Sequence, residues 1–173
     1  MYTVCVGVDG TRASRQALRF ALDAAAQRGG RVRVVTAWWM GDSLPGTVET
    51  EKQIQERQAG AVQQAAVKHV SKQLENVPPV EREIVHDLAG PALVRRSSDD
   101  DHLVVGSEHK GALKHLLGAS VSGYCIRHAR IPVTVVPHVD RALAELSPRE
   151  DDSAESHTVS ENPEPDNPEQ PDA

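Results

Sequence analysis

Thr3-Val4-Cys5-Val6-Gly7-Val8-Asp9-Gly10 is a short run of β-branched and small apolar residues that stops at an aspartate and a glycine. An apolar run without alternation reads as a strand buried on both faces, the kind found in parallel sheets. Thr11 can cap a following helix, in which Ala17, Leu18, Ala21, Leu22 and Ala25 recur at helical spacing until Gly29-Gly30 stops it. A strand leading through a tight turn into an amphipathic helix is the first half of a β-α-β unit.

The unit repeats outward from there. Val32–Trp39 is a second apolar run, and residues 40–48, with Gly41, Pro45 and Gly46, read as a loop. A long polar helix is expected from about Glu49 to Leu74, with Ile54, Ala61, Ala65 and either Val70 or Leu74 facing inward. Pro78-Pro79 closes it. Val80–Val85 alternates apolar and charged residues, which predicts a half-covered strand at a sheet edge. A short helix follows from Pro91, then Leu103-Val104-Val105 as a buried strand ending at Gly106-Ser107. Ala119–Ala129 has helical spacing through Val121, Tyr124, Cys125 and His128, and Ile131–Val136 is the last strand. Five alternations of strand and helix predict a doubly wound, five-stranded parallel sheet with helices on both faces.

Charge divides the chain in two. Of its 173 residues, those after Pro137 include eleven acidic and two basic, so the net −6 of the whole leaves +3 for residues 1–137. The acidity therefore belongs to residues 138–173, which are rich in Pro, Glu and Asp and too poor in apolar residues to fold, apart from a possible short helix at 140–146. A charge of +3 without a basic run or interleaved aromatics gives no nucleic-acid signature. There is no charged leader and no apolar run long enough for a bilayer, so a cytoplasmic location is expected. Two cysteines, Cys5 and Cys125, make no disulfide framework and read as buried thiols.

Several short segments, in order, resemble the universal stress protein family: Val6-Gly7-Val8-Asp9-Gly10-Thr11 with Ala13-Ser14; Val35-Thr36-Ala37-Trp38; Gly90-Pro91-Ala92; Leu103–Ser107. The closing stretch with Leu116, Ser120-Val121-Ser122, Tyr124-Cys125, His128-Ala129 and Pro132-Val133 is similar too. The resemblance spans residues 1–137. It implies the open, adenine nucleotide alpha hydrolase-like α/β sheet, a tendency to dimerise, and in many members ATP binding, with Mg²⁺ accompanying the nucleotide. By that resemblance the nucleotide site comprises Gly7, Asp9, Ala37, Val105, Gly106, His109, Ala119, Ser120, Val121 and Ser122. Asp9 would accept hydrogen bonds from a ribose or an adenine amine; read from the residues alone, it caps the helix or closes the turn with Gly10. Ala37 would line the adenine pocket.

The family's phosphate loop has a glycine, two residues, a second glycine, nine residues, then Gly-Ser or Gly-Thr. Counted from Gly106, the second glycine falls on His109 and the third on Ala119, before Ser120. A histidine in a left-handed conformation costs roughly 1 kcal/mol, and its ring occupies phosphate space. Gly111 and Gly118 keep the loop flexible, and Lys110 and Lys114 supply charge. The expectation is weakened adenine-nucleotide binding by a regulatory module that is not an enzyme. The alternative is a dimeric interaction protein of the stress response that binds no nucleotide. Dimerisation is expected through the last strand, at Pro132, Val133, Thr134, Val135 and Val136, because an apolar unpaired edge invites pairing.

Other constellations fail on spacing. Asp99-Asp100-Asp101 points three carboxylates in different directions, unlike a cation site. His109, His115 and His128 lack zinc spacing, and Ser120 sits in no nucleophile elbow. A response regulator needs an acidic pair after the first strand, where Gly10 follows Asp9, and a lysine after the fifth, which ends Val136-Pro137.

Overall fold

The computed structural model describes residues 1–39, 48–108 and 120–138; the rest, including 139–173, lie outside the described residues. The element order is β1 (Thr3–Gly7), α1 (Arg12–Gln27), β2 (Arg31–Trp38), α2 (Val48–Ser71), β3 (Val80–His86), α3 (Ala89–Arg96), β4 (His102–Glu108), α4 (Val121–His128) and β5 (Val133–His138). The five strands form one parallel sheet in the order β3-β2-β1-β4-β5. The first three strands step outward in one direction. The chain then crosses back to place β4 against the other side of β1, so the winding reverses between β1 and β4.

Alternate residues of the strands serve opposite cores, which is why their sequences read as continuous apolar runs. Val4, Val6, Val8, Val32, Val34 and Val104 meet Ala17, Leu18, Ala21, Leu22 and Ala25 of α1 and Ala66 and Val70 of α2. On the other face, Cys5, Val35, Val85, Leu103 and Val105 meet Ala92 and Leu93 of α3 and Cys125 of α4. Burial pushes the Cys5 thiol far above its usual range and raises Cys125 to about 11. Among the described residues no helix is long and apolar enough to cross a membrane.

The expected elements are present, with shifted bounds. α3 begins at Ala89 rather than Pro91, and β5 runs Val133–His138 rather than 131–136. β3 is an edge strand, as its alternation predicts. The inward face of α2 is a correction. Ile54, Ala61 and Ala65 are exposed, and the helix instead turns Gln63 and Ala66 inward, with Val67 partly buried; Val70 is buried and Leu74 partly buried, as expected.

The physical reason is Gln63, a polar side chain only 2% exposed. Its carboxamide nitrogen donates to the carbonyls of Val34, at 3.1 Å, and Glu83, at 2.9 Å, tying α2 to both β2 and β3. A search for apolar periodicity passes over such a residue. At the other end of the sheet, His102 of β4 bridges the Tyr2 hydroxyl (3.2 Å) and Thr134 Oγ1 of β5 (2.7 Å). Burial, and then the Arg28 guanidinium, lower the basicity of its ring.

Replacing Gln63 with alanine removes both bonds and leaves a small void. Gln63→Ala is expected to lose about 2–4 kcal/mol in urea denaturation. Unchanged stability would mean that α2 is held by its apolar contacts alone.

Candidate functional site

Open α/β sheets place ligand crevices outside the carboxyl ends of their strands, where the winding reverses. Here that position is formed by the last residues of β1 and β4. Val8 continues β1 by donating its N–H to the Val35 carbonyl at 2.9 Å, and Thr36 Oγ1 donates to the Val8 carbonyl at 2.6 Å, so the ends of β1 and β2 are locked together. Asp9 follows, and Gly10 turns the chain with φ +84°, a conformation glycine takes without steric cost.

The turn is knitted by side chains. Asp9 Oδ1 accepts from the Thr11 N–H at 3.0 Å and the Thr11 hydroxyl at 2.7 Å. Thr11 is the N-cap of α1, its Oγ1 accepting from the Ser14 N–H at 3.1 Å, while the Ser14 hydroxyl donates back to the Thr11 carbonyl. Burial works to raise the Asp9 pKa, but the hydrogen bonds from Thr11 and Ser14 outweigh it and hold the carboxyl below its ordinary range. Asp9 is therefore an ionised, exposed carboxylate at the mouth of the crevice.

Beside it lies a cleft of about 90 Å³. Gly7 and Val8 of the first strand, Val35 and Ala37 of β2, and Val105 and Gly106 of β4 form its floor and sides. Ala89 and Leu93 of α3 and Val121 of α4 close it from the other layer, and Asp9, Thr11 and Ser14 supply its polar rim. Two glycines set its shape by close approach. A Cβ at Gly7 would stand 2.8 Å from Leu93 Cδ1. One at Gly106 would stand 2.6 Å from the Ala13 carbonyl carbon and 2.8 Å from the Ser14 nitrogen, so β4 touches the start of α1 backbone to backbone.

Of the residues expected from sequence, Gly7, Asp9, Ala37, Val105, Gly106 and Val121 meet at this cleft. Ser120 and Ser122 do not line it. Ser120 is the N-cap of α4, its Oγ accepting from the Gly123 N–H at 3.1 Å, and Ser122 is buried beneath, its Oγ 3.4 Å from that of Ser120. His109 and Ala119 lie outside the described residues, as do Lys110, Gly111, Lys114 and Gly118. The reading from sequence passed over Ser14 and Thr11 as wall residues, having taken Thr11 only as a cap, although two hydroxyls three apart after a strand-ending aspartate are a usable signal. Ala89 and Leu93 arrive by tertiary packing and carry no local signal. Among the described residues, no group of three His, Cys, Asp or Glu side chains converges as a metal site would.

Comparison with known proteins gives this geometry a context. The sequence model of the universal stress protein family matches residues 1–137. The universal stress protein Rv2005c of Mycobacterium tuberculosis is 35% identical over 140 residues, covering 76% of this chain and 44% of the relative, so the chain spans less than half the length of that protein. A universal stress protein solved in complex with cAMP shares the fold with a TM-score of 0.53 at 24% identity, over 79% of this chain and 96% of that one. An Arabidopsis thaliana universal stress protein family protein with AMP bound has a TM-score of 0.54 at 15% identity, over 87% and 97%.

The contact at Gly106 is the most exacting in the site. Gly106→Ala is expected to lower stability by about 1–3 kcal/mol, read as a fall in Tm, because backbone rather than a flexible side chain must move. A variant melting with the wild type would show that β4 and α1 are not pressed together there.

Proposed function

The chain belongs to the universal stress protein family, and on that premise we propose that it binds an adenine nucleotide in the cleft between β1 and β4 and acts through binding rather than catalysis. The observation that carries this reading is the convergence of Gly7, Asp9, Ala37, Val105, Gly106 and Val121 on one small, largely apolar cleft at the reversal of the winding. Val35, Ala37 and Val105 offer apolar walls against which a purine could rest. Asp9, ionised and with Oδ1 engaged by Thr11, is placed to accept from ribose hydroxyls at the rim. The cAMP and AMP complexes of structurally similar proteins support the ligand class. Among the described residues the polar groups of the cleft are engaged in holding the turn and the helix cap, Thr11 with Asp9 and Ser14 with Thr11, and a regulatory module acting through binding is the reading we draw from that.

A ligand bound at ten times its Kd stabilises the fold by about 1.4 kcal/mol. AMP and ATP, the latter with and without Mg²⁺, are expected to raise the Tm by several degrees, Ala37→Leu to remove the shift, and His109→Gly to enlarge it for ATP alone. No shift for either nucleotide at millimolar concentration would overturn the reading in favour of an interaction protein that binds none.

The dimer expected from sequence belongs to the same proposal. β5 pairs with β4 on one side and is the last strand of the sheet. Val133 and Val135 pack toward one core and Val136 toward the other, so the outer edge of residues 132–136 offers main-chain groups for antiparallel strand pairing. Light scattering of the full chain is expected to return twice its 18.7 kDa mass. A monomer at micromolar concentration would remove the dimer.

A further inference from the structure

β3 stands at the open edge of the sheet, paired with β2 on its inner side. At the two ends of that pairing the Val32 N–H donates to the Pro79 carbonyl at 2.9 Å and the Asp87 N–H to the Trp38 carbonyl at 3.0 Å. Main-chain groups point to the two sides of a strand in alternation, so the odd-numbered residues of β3 are the ones that face β2. The N–H and C=O groups of Val80, Arg82, Ile84 and His86 face outward.

A groove of about 620 Å³ lies beside this edge, between β3 and α2. Arg82 and Ile84 form its strand side, and Arg57, Gly60, Ala61 and Gln64 its helix side, with no carboxylate among these lining residues. Charge at the edge is sorted by face. Glu81 lies 4.0 Å from Arg31 and 3.8 Å from Arg33, and Glu83 lies 3.4 Å from Arg96 of α3, so the acids of β3 are paired on the α3 side. Arg57 and Arg82, on the α2 side, are exposed and have no hydrogen bond or ion pair among the described residues. The charge left over along this edge is therefore positive and belongs to the groove. Charges on an edge strand deter a plain apolar strand. A strand of opposite charge instead gains at each cross-strand pair.

We propose that the outer edge of β3 takes up an extended acidic segment of a partner protein as an added strand, every second side chain an aspartate or glutamate laid along the groove beside Arg82 and Arg57. Main-chain bonds to Val80, Arg82, Ile84 and His86 supply affinity, and the groove reads alternate side chains. None of the groove's lining residues belongs to the cleft between β1 and β4, so the two sites can be tested apart. The strand ends in an aromatic stack, with the His86 ring 4.2 Å from Trp38 and 5.5 Å from Trp39 between centroids. These are the two tryptophans of the chain, so their fluorescence reports from the end of the proposed edge.

The test uses the full chain and a synthetic peptide of about eight residues in which glutamate alternates with threonine. At low salt it is expected to bind once per chain, to shift the tryptophan emission and the amide resonances of residues 80–86, and to weaken as salt rises. A peptide of the same composition with its glutamates in one block should bind roughly five-fold less tightly or worse. Arg57→Glu with Arg82→Glu should weaken binding of the alternating peptide roughly ten-fold or more. Arg82→Gln alone, on the exposed edge, should weaken it several-fold and serves if the double variant does not fold. No binding of the alternating peptide at millimolar concentration would overturn the site, as would affinity within about two-fold of wild type in the arginine variants. A block peptide binding as tightly as the alternating one, or resonance shifts confined to β5 or the cleft, would overturn strand addition at β3. A single-stranded oligonucleotide binding as tightly would overturn the class of partner.

Discussion

At Gly106 the backbone of β4 lies directly against the first turn of α1, with room for a hydrogen atom and no more. The rest of the candidate site depends on that contact. It brings the ends of β1 and β4 close enough for one crevice to be shared by both strands, and it sets the first turn of α1 at the rim. Asp9, Thr11 and Ser14 supply the polar side of that crevice. A sheet wound in a single direction would have no such place, because each strand end would be followed by its own crossover helix.

Asp9 shows how a structural role and the proposed binding role can share one side chain. Its Oδ1 is spent on the turn, holding Thr11, which in turn caps α1. Those bonds also keep the carboxyl ionised. Partial burial works against them, raising the pKa, and the hydrogen bonds from Thr11 and Ser14 outweigh it. The cap is thus part of what keeps the carboxylate below its ordinary pKa range.

Much of this was legible because the information was local. The strand at Thr3–Gly7, the cap at Thr11 and the stripe of Ala17, Leu18, Ala21, Leu22 and Ala25 each rest on residues adjacent in sequence or one turn apart. Parallel topology then followed from alternation and handedness. The reading failed where chemistry and burial part company. Gln63 is polar and buried, so the inward face of α2 was assigned to Ile54, Ala61 and Ala65, which are exposed. Ser120 and Ser122, expected at the ligand, do not line the cleft: Ser120 caps α4 and Ser122 is buried, and the loop that precedes them lies outside the described residues. Leu93 was invisible because only the packing of α3 against Gly7 brings it to the cleft.

The two thiols have a practical corollary. Cys5 and Cys125 sit fully enclosed in the same apolar layer, and burial keeps both protonated well beyond neutral pH. Peroxides and disulfide reagents attack the deprotonated sulfur, and only where they can reach it. In the folded domain the two thiols are shielded from oxidants. A response to an oxidising environment through thiol chemistry at Cys5 or Cys125 would need the fold to open first.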